Sequence, residues 1–218
     1  MSAMPTAAAT RKRRQGPGRP KDPEKRAAIL DAAKRLFPRH GFDGVSMDQI
    51  AADAGVSKLT VYSHFRDKDT LFTEAVREKC QQQLPDTAFE PSVAGPIRDT
   101  LLAIGMQFFT LVSSEEAVGL QRMMLADPRN APKLGQLFFE AGPQRIIEGF
   151  RRFLERAVAA GKLEIDDTRE AAGQFLCLLK GEVNMRMLCG PQACAHGDDD
   201  QAHVAAVVDL FLRAYAPR

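Results

Sequence analysis

Long apolar runs are missing from this 218-residue chain: no stretch of 18 consecutive apolar residues occurs, and no apolar segment follows the basic residues Arg11 to Arg14. A membrane-spanning helix and a secretory signal are therefore not expected. Cysteine is also scarce, and in a chain without an export signal the four cysteines are expected to be reduced thiols rather than a disulfide framework. We expect a cytoplasmic protein that has no membrane partner.

Motifs of catalysis and of cofactor binding are absent as well. The sequence contains no Walker A loop, no Gly-x-Gly-x-x-Gly run, no His-Glu-x-x-His and no Gly-x-Ser-x-Gly. We therefore expect that the protein is not an enzyme and needs no cofactor. Cys189, Cys194 and His196 have a spacing that suggests a metal site, but zinc sites usually have closer cysteine pairs and four ligands. A flexible loop without a metal is the preferred interpretation.

Charge is distributed unevenly along the chain. Residues 1–80 hold 16 Lys and Arg against 10 Asp and Glu, a net charge of +6, whereas residues 81–218 hold 14 against 18, a net charge of −4. A basic N-terminal part on a mildly acidic remainder predicts that the N-terminal part meets a polyanion. Charge alone does not say which polyanion this is.

Composition and helix breakers divide the chain into three regions. The totals of 44% hydrophobic and 27% charged residues are those of an ordinary globular protein. Residues 1–21 hold scarcely an apolar side chain and predict a disordered basic arm. A Pro-rich break from Leu84 to Pro96 separates a small region, residues 22–83, from a larger one, residues 84–218.

Helical periodicity dominates and strand patterns are nearly absent, so the predicted fold class is all-α. The first four helices are expected to be short to medium in length, with the first ending near His40. Their predicted N-terminal caps are Asp22, Ser46, Ser57 and Asp67. Further helices are expected at about residues 96–112, 115–126, 132–140, 143–160, 168–188 and 200–215.

The segment Ile50–Tyr62 has the pattern of a helix-turn-helix. Such a motif needs a small residue where two short helices meet, a turn residue that tolerates left-handed φ, and apolar residues that fill the corner. Ala51 and Gly55 meet the first two needs, and Ile50, Val56 and Val61 meet the third. An ordinary αα-corner is the alternative, but the basic arm and the polar face of the third helix favour DNA binding.

A dense series of positions between residues 24 and 72 matches a known pattern: Ile29 to Ala33, Leu36-Phe37, Gly41-Phe42, Ser46 to Ala51, Ala54 to Ser57, Val61-Tyr62, His64-Phe65 and Lys68. With these residues the segment resembles the DNA-binding domain of the TetR family of transcriptional regulators. The resemblance implies an all-helical homodimer with a small DNA-binding domain and a larger C-terminal domain for dimerisation and ligand binding, in which the ligand usually releases DNA. The C-terminal half is similar to the AefR-like branch at Phe139 to Pro143, Gly161 to Leu163 and Ala171 to Phe175.

The leading end of the third helix carries the residues expected at base edges in the major groove. Lys58 can donate to guanine, and Thr60 can hydrogen-bond or touch a thymine methyl group. Leu59 can add an apolar contact, unless it faces the fourth helix instead. Ser63 follows on the same helix.

Phosphate contacts are expected around these residues. The resemblance places Tyr62, His64 and Lys68 on phosphates, and the helix capped by Ser46 offers N–H groups to another phosphate. The alternatives are a solvated surface histidine for His64 and a half-buried ring packed on the first helix for Tyr62.

In the basic arm, Gly18 to Lys21 resembles the core of an AT-hook, in which an arginine, here Arg19, lies in a narrow minor groove. The leading arginine of that motif is replaced by Pro17, which puts a preference for A·T pairs in doubt. The alternative is a solvated basic tail with salt-sensitive, sequence-independent affinity. In both cases the arm is expected to strengthen DNA binding.

Two apolar stripes on consecutive helices downstream are expected to associate across a two-fold axis. One stripe includes Ile146, Phe150 and Phe153, and the other includes Phe175 and Leu179. Paired across the axis they would form a four-helix bundle, which the resemblance also implies as the dimer interface. The alternative is that both stripes belong to the core of one subunit.

The middle helices are expected to line an effector pocket with Met106, Phe109, Met123 and Phe138, and with Gln174 as a polar orienting group. Charged residues are sparse in these helices, so a hydrophobic or aromatic small molecule is expected rather than a sugar or a nucleotide. The alternative is a plain hydrophobic core.

Together these features predict a ligand-responsive, dimeric transcriptional regulator. It is expected to be a repressor that binds a palindromic operator in double-stranded DNA and is released by a small apolar or aromatic effector. One alternative is a protein-interaction adaptor that has kept the fold but no longer binds DNA. Another is an enzyme with an appended helix-turn-helix, for which the sequence offers no catalytic constellation.

Overall fold

The computed structural model describes residues 22–126, 131–190 and 198–217, and within these ranges the chain is helical and has no strand. The predicted all-α class is confirmed. The helices are α1 (Pro23–His40), α2 (Met47–Asp53), α3 (Lys58–His64), α4 (Lys68–Gln83), α5 (Ile97–Val112), α6 (Glu115–Ala126), α7 (Ala131–Ala141), α8 (Pro143–Ala159), α9 (Thr168–Cys189) and α10 (Asp198–Tyr215), with a 3-10 turn at Asp86–Phe89.

The four predicted caps begin the first four helices. Asp22 accepts hydrogen bonds from two backbone N–H groups of α1, and Asp67 accepts one from the backbone of Thr70 at the start of α4. Ser46 and Gln49 form a reciprocal capping box on α2, and Ser57 caps α3. These caps satisfy N–H groups that have no partner inside the helix, so each helix begins where its cap stands.

An aromatic cluster holds the N-terminal helices together. The rings of Phe37 on α1, Phe42 in the following loop and Phe72 on α4 lie 5.6 Å apart in each pair. Two of the three contacts are edge-to-face, the arrangement that the quadrupoles of aromatic rings favour. The cluster holds α1 against α4, and the short helices α2 and α3 pack on α1 and on each other.

A second aromatic stack forms the centre of the C-terminal part. Phe150 on α8 stacks on Phe175 of α9 at 4.9 Å, and Phe175 meets Phe211 of α10 edge-on at the same distance. The stripes predicted to form the dimer interface therefore belong to the core of a single chain. Ile146, Phe150, Phe153, Phe175 and Leu179 are at most 3% exposed.

This burial overturns the prediction that these five side chains meet a partner subunit. An amphipathic stripe shows only that a helix face is covered, and here the neighbouring helices of the same chain cover it. A dimer interface has to use the opposite, outward faces of these helices or another surface.

Helix α9 is broken in its second half. Gly181 has φ 48° and ψ −156°, a non-helical conformation, and the carbonyl oxygen of Leu179 lies 2.9 Å from Nε2 of His203 on α10. Such a conformation is essentially confined to glycine. The break places the last two turns of α9 at an angle to its first part.

The two regions predicted from sequence share one hydrophobic cluster, which runs from α1 to α10 in the described part of the chain. Helix α6 lies directly on α1, where a Cβ atom added to Gly119 would stand 2.7 Å from Cβ of Pro38. Helix α4 continues from the N-terminal region to contact α5 and α7. In the described ranges no single helix is both long and apolar enough to cross a membrane. Taken together as a bent pair, α5 and α6 have the length and composition for a span.

Candidate DNA-binding surface and effector cavity

Helix α3 is held by one buried face. Val61 and Phe65 at its C-terminal end are at most 1% exposed and pack on α1 and α2. Gly55 in the preceding turn has φ 65°, the left-handed value that the sequence predicted there. The predicted helix-turn-helix geometry, two short helices joined by a tight turn, is therefore present.

The opposite face of α3 is open to solvent. Leu59 is 80% exposed, so it does not pack against the fourth helix as its alternative interpretation required. Tyr62 is 45% exposed, a value that fits both a phosphate contact and the half-buried ring of its alternative. Lys58 and Ser63 are exposed as well, while Thr60 is half-buried with its hydroxyl 2.8 Å from that of Ser57. An exposed leucine beside an exposed tyrosine and a lysine is a surface with apolar, hydrogen-bonding and cationic groups.

Lys58 pairs with a carboxylate on the preceding helix, a contact that the sequence pattern does not predict. Its Nζ lies 2.9 Å and 3.0 Å from the two carboxylate oxygens of Asp48 on α2. The hydrogen bond and the charge of Asp48 raise the pKa of Lys58. Because both side chains are largely exposed, this pair is weak and exchangeable. The pair keeps the ammonium group of Lys58 at the N-terminal end of α3, where it can leave Asp48 for a stronger hydrogen-bond acceptor.

Lys68 has a different environment from Lys58. Its Nζ donates to the backbone carbonyls of Phe42 at 2.7 Å and Val45 at 3.0 Å, and it lies 4.4 Å from the centre of the Phe42 ring. Burial lowers the pKa of Lys68. Two of the three N–H groups of the ammonium therefore hold the loop between α1 and α2, which leaves one N–H for any outside partner.

A cavity of about 350 Å³ lies between α4, α5, α6, α7, α8 and α9. It is within the size range of small-molecule sites, and its walls are mostly apolar. Helix α4 contributes a wall at its C-terminal half. The lining residues are Val76, Lys79, Cys80, Phe108, Leu111, Val112, Ala117, Leu120, Gln121, Phe138, Phe139, Pro143, Ile146, Ile147, Gly173, Leu176, Cys177 and Lys180.

Two family models match the sequence of this chain. The one described as "Bacterial regulatory proteins, tetR family" matches residues 29–75, over α1 to α4. The one described as "AefR-like transcriptional repressor, C-terminal domain" matches residues 99–217, which is more than half of the chain. The chain belongs to the TetR family.

Individual proteins and solved structures resemble this chain over most of its length. The HTH-type transcriptional repressor Rv1474c of Mycobacterium tuberculosis is 28% identical over 186 residues, which are 85% of this chain and 90% of that protein. The crystal structure of a TetR-family regulator from Mesorhizobium loti has a TM-score of 0.77 at 26% identity and covers 89% of this chain and 98% of its own. The Flavonoid-responsive Regulator FrrA has a TM-score of 0.71 at 33% identity, with 90% and 100% covered.

Membership of the TetR family confirms the main expectations from sequence. The chain is a helix-turn-helix transcriptional regulator with the fold of its family, and several relatives are named as repressors. TetR-family proteins are regulators and not enzymes, so the expectation of a non-enzyme is also confirmed. The AefR-like character of the C-terminal half is confirmed by the second family model.

The remaining residues predicted to bind DNA are placed as follows in this TetR-family chain. Ser46 caps α2 and lies exposed, and the hydroxyl of Ser63 donates to the Thr60 carbonyl at 2.7 Å. His64 is half-buried beside the ring of Phe65, so it is not the fully solvated histidine of the alternative interpretation. Arg19 lies outside the described residues.

The predicted pocket residues are mostly not those of the cavity. Phe138 lines it, but Phe109 packs beside His203 at 5.5 Å, and Met123 borders a shallow cleft next to Pro38. Met106 is half-buried against the core. Gln174 faces away and accepts a hydrogen bond from the hydroxyl of Tyr215 at 3.1 Å. The residue types identified helices that do line the cavity. Each of these helices has more than one buried face, however, and residue type does not say which buried face lines the cavity.

The cavity residues that the prediction missed include charged and thiol side chains on α4 and α9. Cys80 and Lys79 come from α4, and Cys177 and Lys180 come from α9. Burial raises the pKa of the Cys80 thiol, which therefore remains protonated. The only sequence signal for the α9 wall is the i, i+3, i+7 spacing of Gly173, Leu176 and Lys180, which puts them on one face of the helix. Cys177 directly follows Leu176.

Proposed function

We propose that this TetR-family protein is a cytoplasmic, dimeric repressor that binds a palindromic operator through α3 and is released by a small apolar or aromatic effector. The observation that carries the proposal is the division of α3 into a buried face, with Val61 and Phe65, and an open face with Lys58, Leu59 and Tyr62. A recognition helix needs this division because it must be anchored on one side and free to enter a groove on the other.

Individual residues have separate roles in this proposal. Lys58 exchanges Asp48 for a guanine edge, Thr60 contacts a base or a thymine methyl group, and Leu59 adds an apolar contact. Tyr62 donates to a phosphate, Ser63 exchanges its hydrogen bond to the Thr60 carbonyl for one to a phosphate, and the N-terminus of α2 behind Ser46 offers N–H groups to another.

His64, Lys68 and the basic arm contribute affinity that depends less on the DNA sequence. His64 lies next to the phosphate-binding residues in sequence, and Lys68 has one N–H group left for a phosphate. Arg19 and the other basic residues of the arm add contacts that depend on salt rather than on sequence.

A two-fold operator requires two copies of α3 about one turn of duplex apart, roughly 34 Å. We place the dimer contact on the outward faces of α9 and α10, which pack against each other and expose large apolar side chains. On α10 the exposed apolar residues are spaced four apart and form one row along the helix. The residues are Leu178 and Met185 on α9 and Ala202, Ala206, Leu210 and Ala214 on α10.

The cavity is the proposed effector site. Its apolar walls and the rings of Phe108, Phe138 and Phe139 suit an apolar or aromatic molecule. The relative FrrA is titled a flavonoid-responsive regulator, and a flavonoid is such a molecule. Helix α4 connects the cavity at Cys80 with the helix-turn-helix at Lys68, about 18 Å away along the helix axis.

A ligand that moves α4 would therefore change the relative positions of the two recognition helices. A coupling free energy of about 1–3 kcal/mol gives a change of roughly 5 to 150-fold in operator affinity, which is sufficient for regulation.

The DNA-binding role is tested by selecting bound fragments from random duplex DNA and measuring affinity by fluorescence anisotropy at fixed salt. We expect Lys58→Ala to lower affinity for the selected operator by about 1–3 kcal/mol and to relax base preference at one position of each half-site. Lys162→Ala, in the turn after α8, is the matched control and should bind like the wild type. A wild-type protein with no preference for any duplex would refute the proposal and favour the adaptor.

A further inference from the structure

Among the residues that the structure describes, the walls of the proposed effector cavity carry charge of one sign only. Among its lining residues there is no Asp or Glu, while two lysines stand on different helices, Lys79 on α4 and Lys180 on α9. The rest of the lining is apolar apart from Gln121 and two cysteines. A cation beside an apolar wall is costly unless it has a partner or keeps water.

The two lysines differ in their partners. The Nζ of Lys79 lies 3.2 Å from a carboxylate oxygen of Glu116 on α6, so its charge is already compensated. Lys180 is half-buried, and no residue in the described part of the chain forms a hydrogen bond or an ion pair with it. Within the described ranges the cavity thus has one compensated cation, Lys79, and one without a charged partner, Lys180.

The local fold explains why Lys180 stands at this wall. Gly173, Leu176 and Lys180 lie on the cavity side of α9, whereas Leu179 next to Lys180 points into the core and is fully buried. A Cβ atom at Gly173 would meet nothing within 4 Å, so the wall is open at that end and leaves room for a ligand. The break at Gly181 follows directly and ends the wall at Lys180.

We propose that the effector of this protein is an amphipathic anion, with an apolar body in the cavity and one anionic group, such as a carboxylate, paired with Lys180. This inference rests on the proposed function, because it names the chemical class of the effector of the same cavity. A charge-assisted hydrogen bond in a partly desolvated site is stronger than one between neutral groups. Of two apolar ligands of equal size, the one with an anionic group therefore binds more tightly. Lys79 contributes little to this preference because Glu116 compensates its charge.

Calorimetric titration of the full-length protein without DNA tests this inference with two pairs of matched probes: decanoate against decanol, and naphthoate against naphthol. At neutral pH we expect each carboxylate to bind roughly ten-fold or more tightly than its alcohol. Lys180→Met should remove this preference while leaving the affinity for the two alcohols unchanged, because the methionine keeps the apolar length of the lysine stem. Lys180→Arg should retain the preference, and Lys162→Met is the control for the loss of one positive charge elsewhere.

The outcomes separate this inference from the proposed function. Alcohols and carboxylates that bind the wild type equally well, or a preference that survives in Lys180→Met, would overturn the role of Lys180 and leave an apolar effector site. If none of the four probes bound the wild type, both the inference and the proposed effector cavity would be refuted. In that case the DNA-binding proposal would still stand on its own anisotropy measurement.

Discussion

Two lysines predicted for DNA binding differ in what surrounds them. Lys58 is exposed and paired with an exposed carboxylate of Asp48, whereas Lys68 is half-buried and donates to two carbonyls of the loop between α1 and α2. Breaking the exposed ion pair of Lys58 when DNA binds costs little free energy. The hydrogen bonds of Lys68 maintain the loop that leads into α2, so Lys68 contributes to the fold of the helix-turn-helix itself.

We expect Lys68→Met to lower the free energy of unfolding by about 1–3 kcal/mol, since two carbonyls lose a charged donor. Lys58→Met should change it by less than about 0.5 kcal/mol because only an exposed ion pair is lost. Urea denaturation followed by circular dichroism measures both. A Lys68→Met protein of unchanged stability that binds DNA poorly would show that Lys68 acts on phosphate and not on the loop.

At the scale of one element, α9 has three faces with different surroundings. Its buried side holds Phe175 and Leu179, its cavity side holds Leu176 and Lys180, and its outward side exposes Leu178. The break at Gly181 lets the later turns follow a different direction, and His203 on α10 bonds the carbonyl of Leu179 at this point. The break therefore links the cavity wall to α10.

We expect Gly181→Ala to destabilise the protein by about 1–3 kcal/mol. An alanine would be strained at φ 48° and ψ −156°, and its Cβ atom would stand 3.2 Å from Cε1 of His203. Gly173→Ala is the control on the same helix: its Cβ atom has open space, and alanine favours a helix over glycine, so stability should stay the same or rise. Chemical unfolding compares the two. If Gly181→Ala were the more stable variant, α9 would be continuous in solution.

Sequence patterns predicted the helices well because their signals are local. Asp22, Ser46, Ser57 and Asp67 each cap the helix that follows, and a cap acts on the next three residues only. The break at Gly181 was not predicted, since the apolar period of α9 continues across it and one glycine is tolerated in a helix. Local signals thus fix where helices begin and not always whether they stay straight.

Contacts between elements were harder to predict from the sequence. Phe150 and Phe175 lie on wide apolar stripes, and a stripe has the same appearance whether its own chain or a second copy covers it. Asp48 as the partner of Lys58 and Glu116 as the partner of Lys79 depend on how two helices cross, which no spacing along the chain encodes. The polar, exposed face of α3 was predicted correctly at Lys58 and Ser63 because it follows from the period of one short helix, whereas the resemblance gave only phosphate contacts.

At the scale of the whole molecule, the DNA-binding surface and the cavity share rigid connections. Helix α4 carries Cys80 at the cavity and Lys68 at the helix-turn-helix, and α6 carries Leu120 at the cavity and Gly119 against Pro38 of α1. Both helices belong to the one hydrophobic cluster of the described chain. Because close-packed interiors transmit displacement, the proposed ligand in the cavity would act on both α1 and α4.

In the proposed dimer such a displacement would change operator affinity only while two subunits are held together, so the outward face of α9 and α10 would control the proposed regulation. We expect Leu210→Glu to produce monomers, because a carboxylate in the centre of the apolar row would be buried without a partner in a dimer. The variant should keep its helical content, since Leu210 is 45% exposed in the single chain, and should lose most of its operator affinity. Analytical ultracentrifugation and anisotropy on the selected operator measure the two effects. Leu125→Glu on α6, where the leucine is 72% exposed, is the matched control and should remain dimeric. Monomers from Leu125→Glu together with dimers from Leu210→Glu would move the interface to α6.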